Sequence, residues 1–292
     1  MGGSSKPVAV IGAKGQLGSD LMEVLAQAFE VVGFTHADLE VSDPASVEKA
    51  LGNRAWAAIV NTAALHKVEV CEAEPERAFQ VNALGALYLA RLARRAGARY
   101  VYISTDYVFD GTKAQPYLES DPPQPLNVYG ASKLAGEHLS LQAQPDTLIL
   151  RIASVFGRAG ASGKGGNFIE TILGKARAGE ALRVVADQFV SPTYTKDVAR
   201  LLLALLQKDA RGVVHAANAG VCSWHALAQE ALRLCGLEAA VEAIPASAFP
   251  SPVRRPAYSA LASERLAGLG LSSRPWQEAL RDYLIEKGHM GG

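Results

Sequence analysis

The sequence predicts an α/β protein: a Rossmann-type, doubly wound parallel sheet with a smaller C-terminal α/β substrate lobe. Three observations carry that prediction. From Pro7 to about Arg151, short β-branched runs alternate with longer stretches of helical period, the pattern of consecutive βαβ units. The short runs show little polar alternation, as strands covered by helices on both faces should. At Ile152 the rhythm changes, and a chain of 292 residues has length left for more than one small core. Residues 7–155 are therefore expected to form one unit and residues 156–287 a smaller lobe, some of whose segments can return to the first.

In chain order, the first strand is Val8–Ile11, an apolar run that stops at a glycine-rich turn, and apolar residues at three- and four-residue spacing then place a helix at Ser19–Ala28. The strand Val31–Thr35 precedes the helix Ala45–Leu51, and the strand Ala58–Thr62 precedes a long helical pattern over Glu74–Ala96. The strand Tyr100–Ser104, the helix Val128–Gln142 and the strand Leu148–Ile152 complete the first unit. Beyond it come a Gly-rich stretch, Gly157–Gly166, a helix Phe168–Ala178, a strand Arg183–Ala186 and a loop Asp187–Thr195. Helices Lys196–Gln207 and Ser223–Cys235 follow, then a Pro-rich segment, Pro245–Pro256, and two short helices near Ser263 and at Pro275–Lys287. No internal repeat is visible, and the ends, Met1–Lys6 and Gly288–Gly292, are Gly-rich tails expected to fray.

Composition removes several classes of function. Lys+Arg and Asp+Glu are both 29, so the basic surplus of a nucleic-acid binder is missing. The longest aliphatic run, Leu201–Leu206, is far short of the roughly 20 residues that cross a bilayer, and it reads as a core helix. A cytoplasmic chain with neither a membrane nor a nucleic-acid partner is expected. Cys71, Cys222 and Cys235 are odd in number with no CxxC pair, so neither a disulfide framework nor a cysteine zinc site is indicated. His66, His138, His215 and His225 show no metal-ligand spacing, and no metal is expected. Trp56, Trp224 and Trp276 are too dispersed for a stacking platform.

Three places can carry chemistry. Gly12-Ala-Lys-Gly15-Gln-Leu-Gly18 lies between a strand and a helix, where glycines permit a tight turn and a close approach to phosphate oxygens, and the N–H groups of the helix start bind a pyrophosphate. Its spacing is GxxGxxG, and no carboxylate occupies the tip of the second strand, which reads Phe34-Thr35-His36-Ala37 before Asp38 and Glu40. NADH and NADPH therefore both remain open as the cofactor. Ser104-Thr105-Asp106 ends the fourth strand, on the side of an open sheet where ligands sit. Tyr129-Gly-Ala-Ser-Lys133 puts a phenol and an ammonium on one helix face, so that the cation can lower the phenol pKa. Tyr283 and Lys287 share that spacing but lie in the last helix, away from any strand end. Gly130 and Ala131 leave room for a cofactor beside Tyr129.

Taken with Asp38–Asp43, Asn61-Thr-Ala-Ala64, Asn82, Asp187-Gln188 and Ser191-Pro-Thr193, the pairing of STDYVFDG at 104–111 with YxxxKxxGE at 129–137 resembles the extended short-chain dehydrogenases/reductases, and within them the dTDP-4-dehydrorhamnose reductases, over nearly the whole chain. The resemblance implies NAD(P)H-dependent reduction of the C4 keto group of a nucleotide-linked 4-keto-6-deoxy sugar. By that resemblance residues 7–155 bind the dinucleotide and the smaller lobe binds the sugar nucleotide. Tyr129 donates the proton, Lys133 holds the nicotinamide ribose, and Thr105 hydrogen-bonds the reacting oxygen. Gly12, Gly15, Gln16, Leu17 and Gly18 bind pyrophosphate, Glu40 and Val41 lie by the adenine, and Ala63 and Ala64 line the groove. Asp106, Ser154 and Arg255 are assigned to the substrate, and Asn82 to a helix kink or proton relay. A homodimer occurs among related proteins.

One departure stands out. Where these reductases carry an Arg-Thr-Ser-Trp-like segment whose tryptophan stacks on the sugar, this chain reads Arg151-Ile-Ala-Ser154-Val-Phe156, with Phe156 as the aromatic that could compensate. The rival from another class is a non-catalytic dinucleotide-binding relative, resembling the regulatory subunit of methionine adenosyltransferase. Intact Thr105, Tyr129 and Lys133 favour the enzyme.

Overall fold

A computed structural model describes residues 6–160, 166–249 and 251–290. The fraying expected of the two ends falls partly on residues 1–5 and 291–292, and the Gly157–Gly166 stretch partly on residues 161–165, all outside the described residues. The first half runs β1 (Val8–Ile11), α1 (Gln16–Leu25), β2 (Val31–Phe34), α2 (Pro44–Leu51), β3 (Ala58–Asn61), α3 (Val68–Ala73), α4 (Pro75–Phe79), α5 (Gly85–Arg95), β4 (Arg99–Thr105), α6 (Val128–Ala143) and β5 (Leu148–Ile152). The second runs β6 (Val155–Phe156), α7 (Phe168–Arg177), β7 (Leu182–Val185), β8 (Phe189–Val190), β9 (Thr193–Tyr194), α8 (Thr195–Gln207) and β10 (Gly212–His215). It ends with β11 (Cys222–Ser223), α9 (Trp224–Leu234), β12 (Val241–Ile244), α10 (Arg265–Gly268) and α11 (Trp276–Glu286).

Six parallel strands form the central sheet in the order β2-β1-β3-β4-β5-β10. Val8 pairs with Val31 on one side and Ala58 on the other, so the winding reverses at β1 and leaves a crevice beyond the carboxyl ends of β1 and β3. One face is packed by α1 and α8, where Leu21, Leu25, Leu202 and Leu205 are fully buried. Each such side chain contributes roughly 2 kcal/mol of burial. The other face is covered by α2 and α5, with α6 against α5. A separate core gathers Phe156, Leu173, Leu182, Ala228 and Tyr283 from β6, α7, β7, α9 and α11.

Two features depart from the local reading. Of the segments that could return to the first unit, α8 packs on the sheet beside α1, and β10, a strand the local reading did not place, joins it by parallel pairing with β5, because helical period and β-branching specify an element but not its partner. The helix expected over Glu74–Ala96 is broken, with α4 ending at Phe79 and a π-helical turn at Gln80–Leu84 preceding α5. Asn82 sits in that turn and is buried, its Oδ1 accepting from the Leu65 amide at 2.9 Å and its Nδ2 donating to the Leu65 carbonyl at 3.0 Å. The extra residue per turn is what aims this amide at the chain beyond β3.

Candidate active site

The glycine loop follows β1 directly. Gly12 has φ +84°, and a Cβ there would lie 2.5 Å from Thr62 Oγ1, so the position requires glycine. α1 begins at Gln16, three residues before the expected start, so the glycine motif itself supplies the first helical turn. Its N-cap is Gly15, with no capping side chain, and no acidic residue stands in the first turn. The N–H groups there are left for an anion, favoured by the helix dipole. A Cβ on Gly18 would fall 2.1 Å from the Gly12 carbonyl oxygen, so glycine is what lets α1 rest on the loop. Gln16 Nε2 donates to the Val155 carbonyl at 3.0 Å and ties the loop to β6. These residues fit a dinucleotide pyrophosphate. Beside them, Asn61 Oδ1 accepts from the Ala63 amide at 3.0 Å and Thr62 Oγ1 donates to the Ile11 carbonyl at 2.7 Å, which fixes Ala63 and Ala64 along the groove. Glu40 lies at its rim, held below the ordinary carboxylate range: burial would raise it, but hydrogen bonds from the hydroxyl and amide of Ser42 outweigh that.

At the other functional end, β4 closes on Thr105, whose Oγ1 accepts from the Tyr107 amide at 3.2 Å and donates to Asp106 Oδ1 at 3.0 Å. Tyr129 lies in the first turn of α6. That turn is fixed by Asn127, which accepts from the Gly130 amide at 2.9 Å and donates to the Arg254 carbonyl at 2.9 Å. Gly130 does not make space for a cofactor as expected: a Cβ there would lie 2.1 Å from the Tyr107 carbonyl oxygen, so this glycine lets α6 approach the turn after β4. Lys133 Nζ donates to the Ile103 carbonyl at 2.6 Å and stands 4.0 Å from the centre of the Tyr102 ring.

Electrostatics here differ from the sequence expectation. Burial pushes the Tyr129 phenol well above its ordinary pKa, and the Thr105 hydroxyl offsets this only in part, so the net shift is upward and not the lowering expected from Lys133. Burial also lowers Lys133 to about 7, against the partial opposition of Glu137 one turn along α6. Asp106 is raised to about 6 by burial, with Ser259 and Thr105 pulling the other way. Beneath these residues, Arg151 on β5 grips Glu137 through Nε at 2.9 Å and Nη2 at 2.7 Å, and Ser104 Oγ donates to the same carboxylate at 2.5 Å. Ser132 on α6 accepts from Asn82 Nδ2 at 2.9 Å, which joins the π-turn to the helix of Tyr129.

A single cleft of about 1450 Å³ takes in Gly12, Gly15 to Gly18, Glu40, Val41, Ala63, Ala64, Thr105, Asp106, Tyr129, Lys133, Ser154 and Arg255, whereas Asn82 is buried behind it. Arg255 stands at its edge, ion-paired with Glu69. Ser154 adopts a left-handed backbone (φ 42°), uncommon for a side chain larger than glycine and found preferentially at functional sites. Phe156 does not stand in for an aromatic there: its ring is 2% exposed and stacked on Tyr194 at 5.7 Å within the second core. Sequence reasoning named none of Asn167, Phe168 and Trp224 as site residues, yet they line the cleft from the second half, and Phe168 packs edge-on to Trp224 at 4.8 Å. Two helix starts side by side were the only available signal. Tyr283 is fully buried in the second core, so its YxxxK spacing has no part in the cleft.

A doubly wound sheet whose crevice joins an anion-ready glycine loop to a tyrosine and lysine one helical turn apart defines the class of dinucleotide-dependent oxidoreductases. Within that class the chain belongs to the RmlD substrate binding domain family, whose profile matches residues 6–288. It is 41% identical to the spore coat polysaccharide biosynthesis protein SpsK of Bacillus subtilis, over 96% of this chain and 97% of that one. It is 38% identical to the dTDP-4-dehydrorhamnose reductase of Mycobacterium tuberculosis H37Rv, over 97% of this chain and 94% of that one. A crystal structure of dTDP-4-dehydrorhamnose reductase from Bacillus anthracis in complex with NADP superposes with a TM-score of 0.91 at 32% identity, covering 96% of this chain and 99% of that one.

Proposed function

We propose that the protein reduces the C4 keto group of a nucleotide-linked 4-keto-6-deoxy sugar with NAD(P)H, converting dTDP-4-dehydro-L-rhamnose to dTDP-L-rhamnose. The observation that carries this reading is that Thr105, Tyr129 and Lys133 stand in the same cleft as the glycine loop Gly12–Gly18. A bound reduced nicotinamide supplies the hydride. The first turn of α1 holds the pyrophosphate, with Gln16 and Leu17 beside it, Glu40 and Val41 flank the adenosine, and Ala63 and Ala64 line the groove. Tyr129 gives its phenolic proton to the C4 oxygen as hydride reaches C4, and Thr105 donates a hydrogen bond to the same oxygen. Lys133 binds the ribose next to the nicotinamide and stabilises the phenolate that Tyr129 leaves behind.

Asp106 and Arg255 meet the sugar nucleotide, the latter by exchanging Glu69 for a phosphate. Residues 156–287 form the sugar-nucleotide lobe, apart from β10, which joins the first sheet, and α8, which packs on that sheet beside α1. Ser154 favours a second substrate within the same chemistry. A small side chain at the end of β5, with Phe156 turned into the core, suits a pocket open to other nucleotide-linked 4-keto sugars. The test is substrate-dependent oxidation of NADH and of NADPH, tried separately, with dTDP-4-dehydro-L-rhamnose generated in situ. Consumption of reduced cofactor that vanishes in Tyr129→Phe supports the reductase. Cofactor binding without consumption, on this and related 4-keto sugars, refutes it.

A further inference from the structure

Each reduction takes a hydride from the cofactor and a proton from Tyr129, and so leaves the chain one proton short. The phenolate has to recover that proton before the next turnover. The Thr105 hydroxyl is close enough to the phenol to pull its pKa down against burial. Thr105 Oγ1 accepts from the Tyr107 amide at 3.2 Å and lies 3.0 Å from Asp106 Oδ1. With the amide on one lone pair, the single hydroxyl proton has two directions open to it, toward the carboxyl or toward the cleft.

Asp106 is buried, lines the cleft, and has an Oδ2 with no hydrogen-bond partner among the described residues. Burial raises its carboxyl to about 6, opposed by the hydroxyls of Ser259 and Thr105 and by the amides of Asp106 and Tyr107. Two phenols face it, Tyr107 and Tyr129, and Asp106 pushes the pKa of each upward. Arg255 and Glu69, which act on Tyr107 from its far side, are paired with each other, and Lys133 on α6 is held by the Ile103 carbonyl. A buried carboxyl with one bare oxygen and no ion pair among the described residues is a group that can store a proton.

We propose that Asp106 is the proton reserve of the site, returning a proton to Tyr129 through the Thr105 hydroxyl after each reduction. The inference rests on the reductase reading above and adds the step that readies the site for its next substrate. The O–H bond at Asp106 Oδ1 breaks as one forms at Thr105 Oγ1, and the proton that Thr105 carried before passes to the Tyr129 oxygen. Tyr129 is again a phenol, and Asp106 is a carboxylate that accepts from Thr105 across the 3.0 Å contact. The transfer runs downhill, from a carboxyl near 6 to a phenolate whose acid lies far above it. Asp106 recovers its proton from water admitted to the cleft as product leaves, at Oδ2, which has no partner to displace among the described residues.

Rapid mixing of the full chain with dTDP-4-dehydro-L-rhamnose and the reduced cofactor that it consumes tests the relay. Asp106→Asn keeps the shape of the side chain and an oxygen for Thr105, but it has no proton to pass on. Its first turnover should stay within about threefold of the wild type, since Tyr129 starts protonated, whereas later turnovers should slow at least about tenfold. That slow phase should quicken with added acetate buffer at fixed pH, because a small acid can reprotonate the phenolate in place of Asp106; slowed product release would not respond. A first turnover slowed as much as the later ones, steady turnover equal to the wild type, or a slow phase indifferent to buffer would overturn the relay while leaving the reductase reading intact. A wild type that consumes no cofactor would overturn both.

Discussion

Arg151→Met is the perturbation whose consequences reach furthest through the site. Arg151 and Glu137 are 4% and 2% exposed, and the guanidinium supplies two hydrogen bonds to the carboxylate, at 2.9 and 2.7 Å. Methionine removes both, and leaves Glu137 with the Ser104 hydroxyl as a donor, no ion-pair partner among the described residues, and only the burial-depressed Lys133 one turn away to act on its charge. Breaking a buried pair from one side costs about 3–5 kcal/mol, most of it the penalty of the stranded charge. At about 2 °C per kcal/mol for a long chain, Tm should fall by roughly 6–10 °C. Glu137→Met/Arg151→Met should recover much of that loss, since neither charge is then buried. The pair also bears on chemistry. Glu137 raises Lys133 against burial, so an undamped carboxylate should carry the lysine above about 7 and extend activity to higher pH. The double variant should move the alkaline limb the other way. Denaturant unfolding and pH profiles of kcat/KM measure the two effects. A loss below about 1 kcal/mol in Arg151→Met, or an alkaline limb unmoved in both variants, would refute the reasoning.

Three other outcomes follow from the same geometry. Tyr129→Phe should lower kcat by about 10²–10⁴ while dinucleotide affinity, read by calorimetry, changes less than about threefold; Lys133→Ala should impair both. Gly18→Ala should abolish dinucleotide binding, because its Cβ meets the Gly12 carbonyl oxygen at 2.1 Å, whereas Gly174→Ala on α7, with nothing within 4 Å, should leave binding unchanged and raise stability by up to about 1 kcal/mol. Asp106 is raised from 3.8 to about 6. Its protonated form therefore contributes stability that is complete below the unfolded value and is lost as pH rises to about 6, roughly 3 kcal/mol in all. Asp106→Asn should remove that slope from unfolding free energies measured between pH 4 and 7, and an unchanged slope would exclude the assignment.

How far the site could be read from sequence follows from which interactions are local. The glycine loop was legible because a strand, three glycines and a helix start are consecutive, and Thr105 and Tyr129 because each lies at an element end that patterning fixes. The π-turn at Gln80–Leu84 was not, since its helical periodicity continues unbroken through Ala96 and the contacts of Asn82 with Leu65 and Ser132 lie 17 and 50 residues away. The same holds for β10, whose partner β5 is some sixty residues earlier, at a register of Gly212 with Leu148. Gly130 misled for a related reason: its need for glycine comes from the carbonyl of Tyr107, in a different element.

The opposite shifts of Tyr129 and Lys133 are consistent with one another and with the direction of the proposed reaction. Reduction needs a neutral phenol as the acid, and burial raises Tyr129 well clear of neutral pH, so the proton stays on the ring until an oxyanion develops at the substrate. The cost of that arrangement falls on the product state, a phenolate in a dry site. In the proposed reaction Lys133 would supply the remedy: lowered to about 7 by burial, it would be drawn toward the ammonium form by a phenolate one helical turn away. Two groups that burial drives toward neutrality can thus become ionised together, each lowering the other's penalty, where either alone would be disfavoured. Glu137, paired with Arg151 beneath them, partly opposes the effect of burial on Lys133 and so keeps its charged form within reach, while the pair ties α6 to β5.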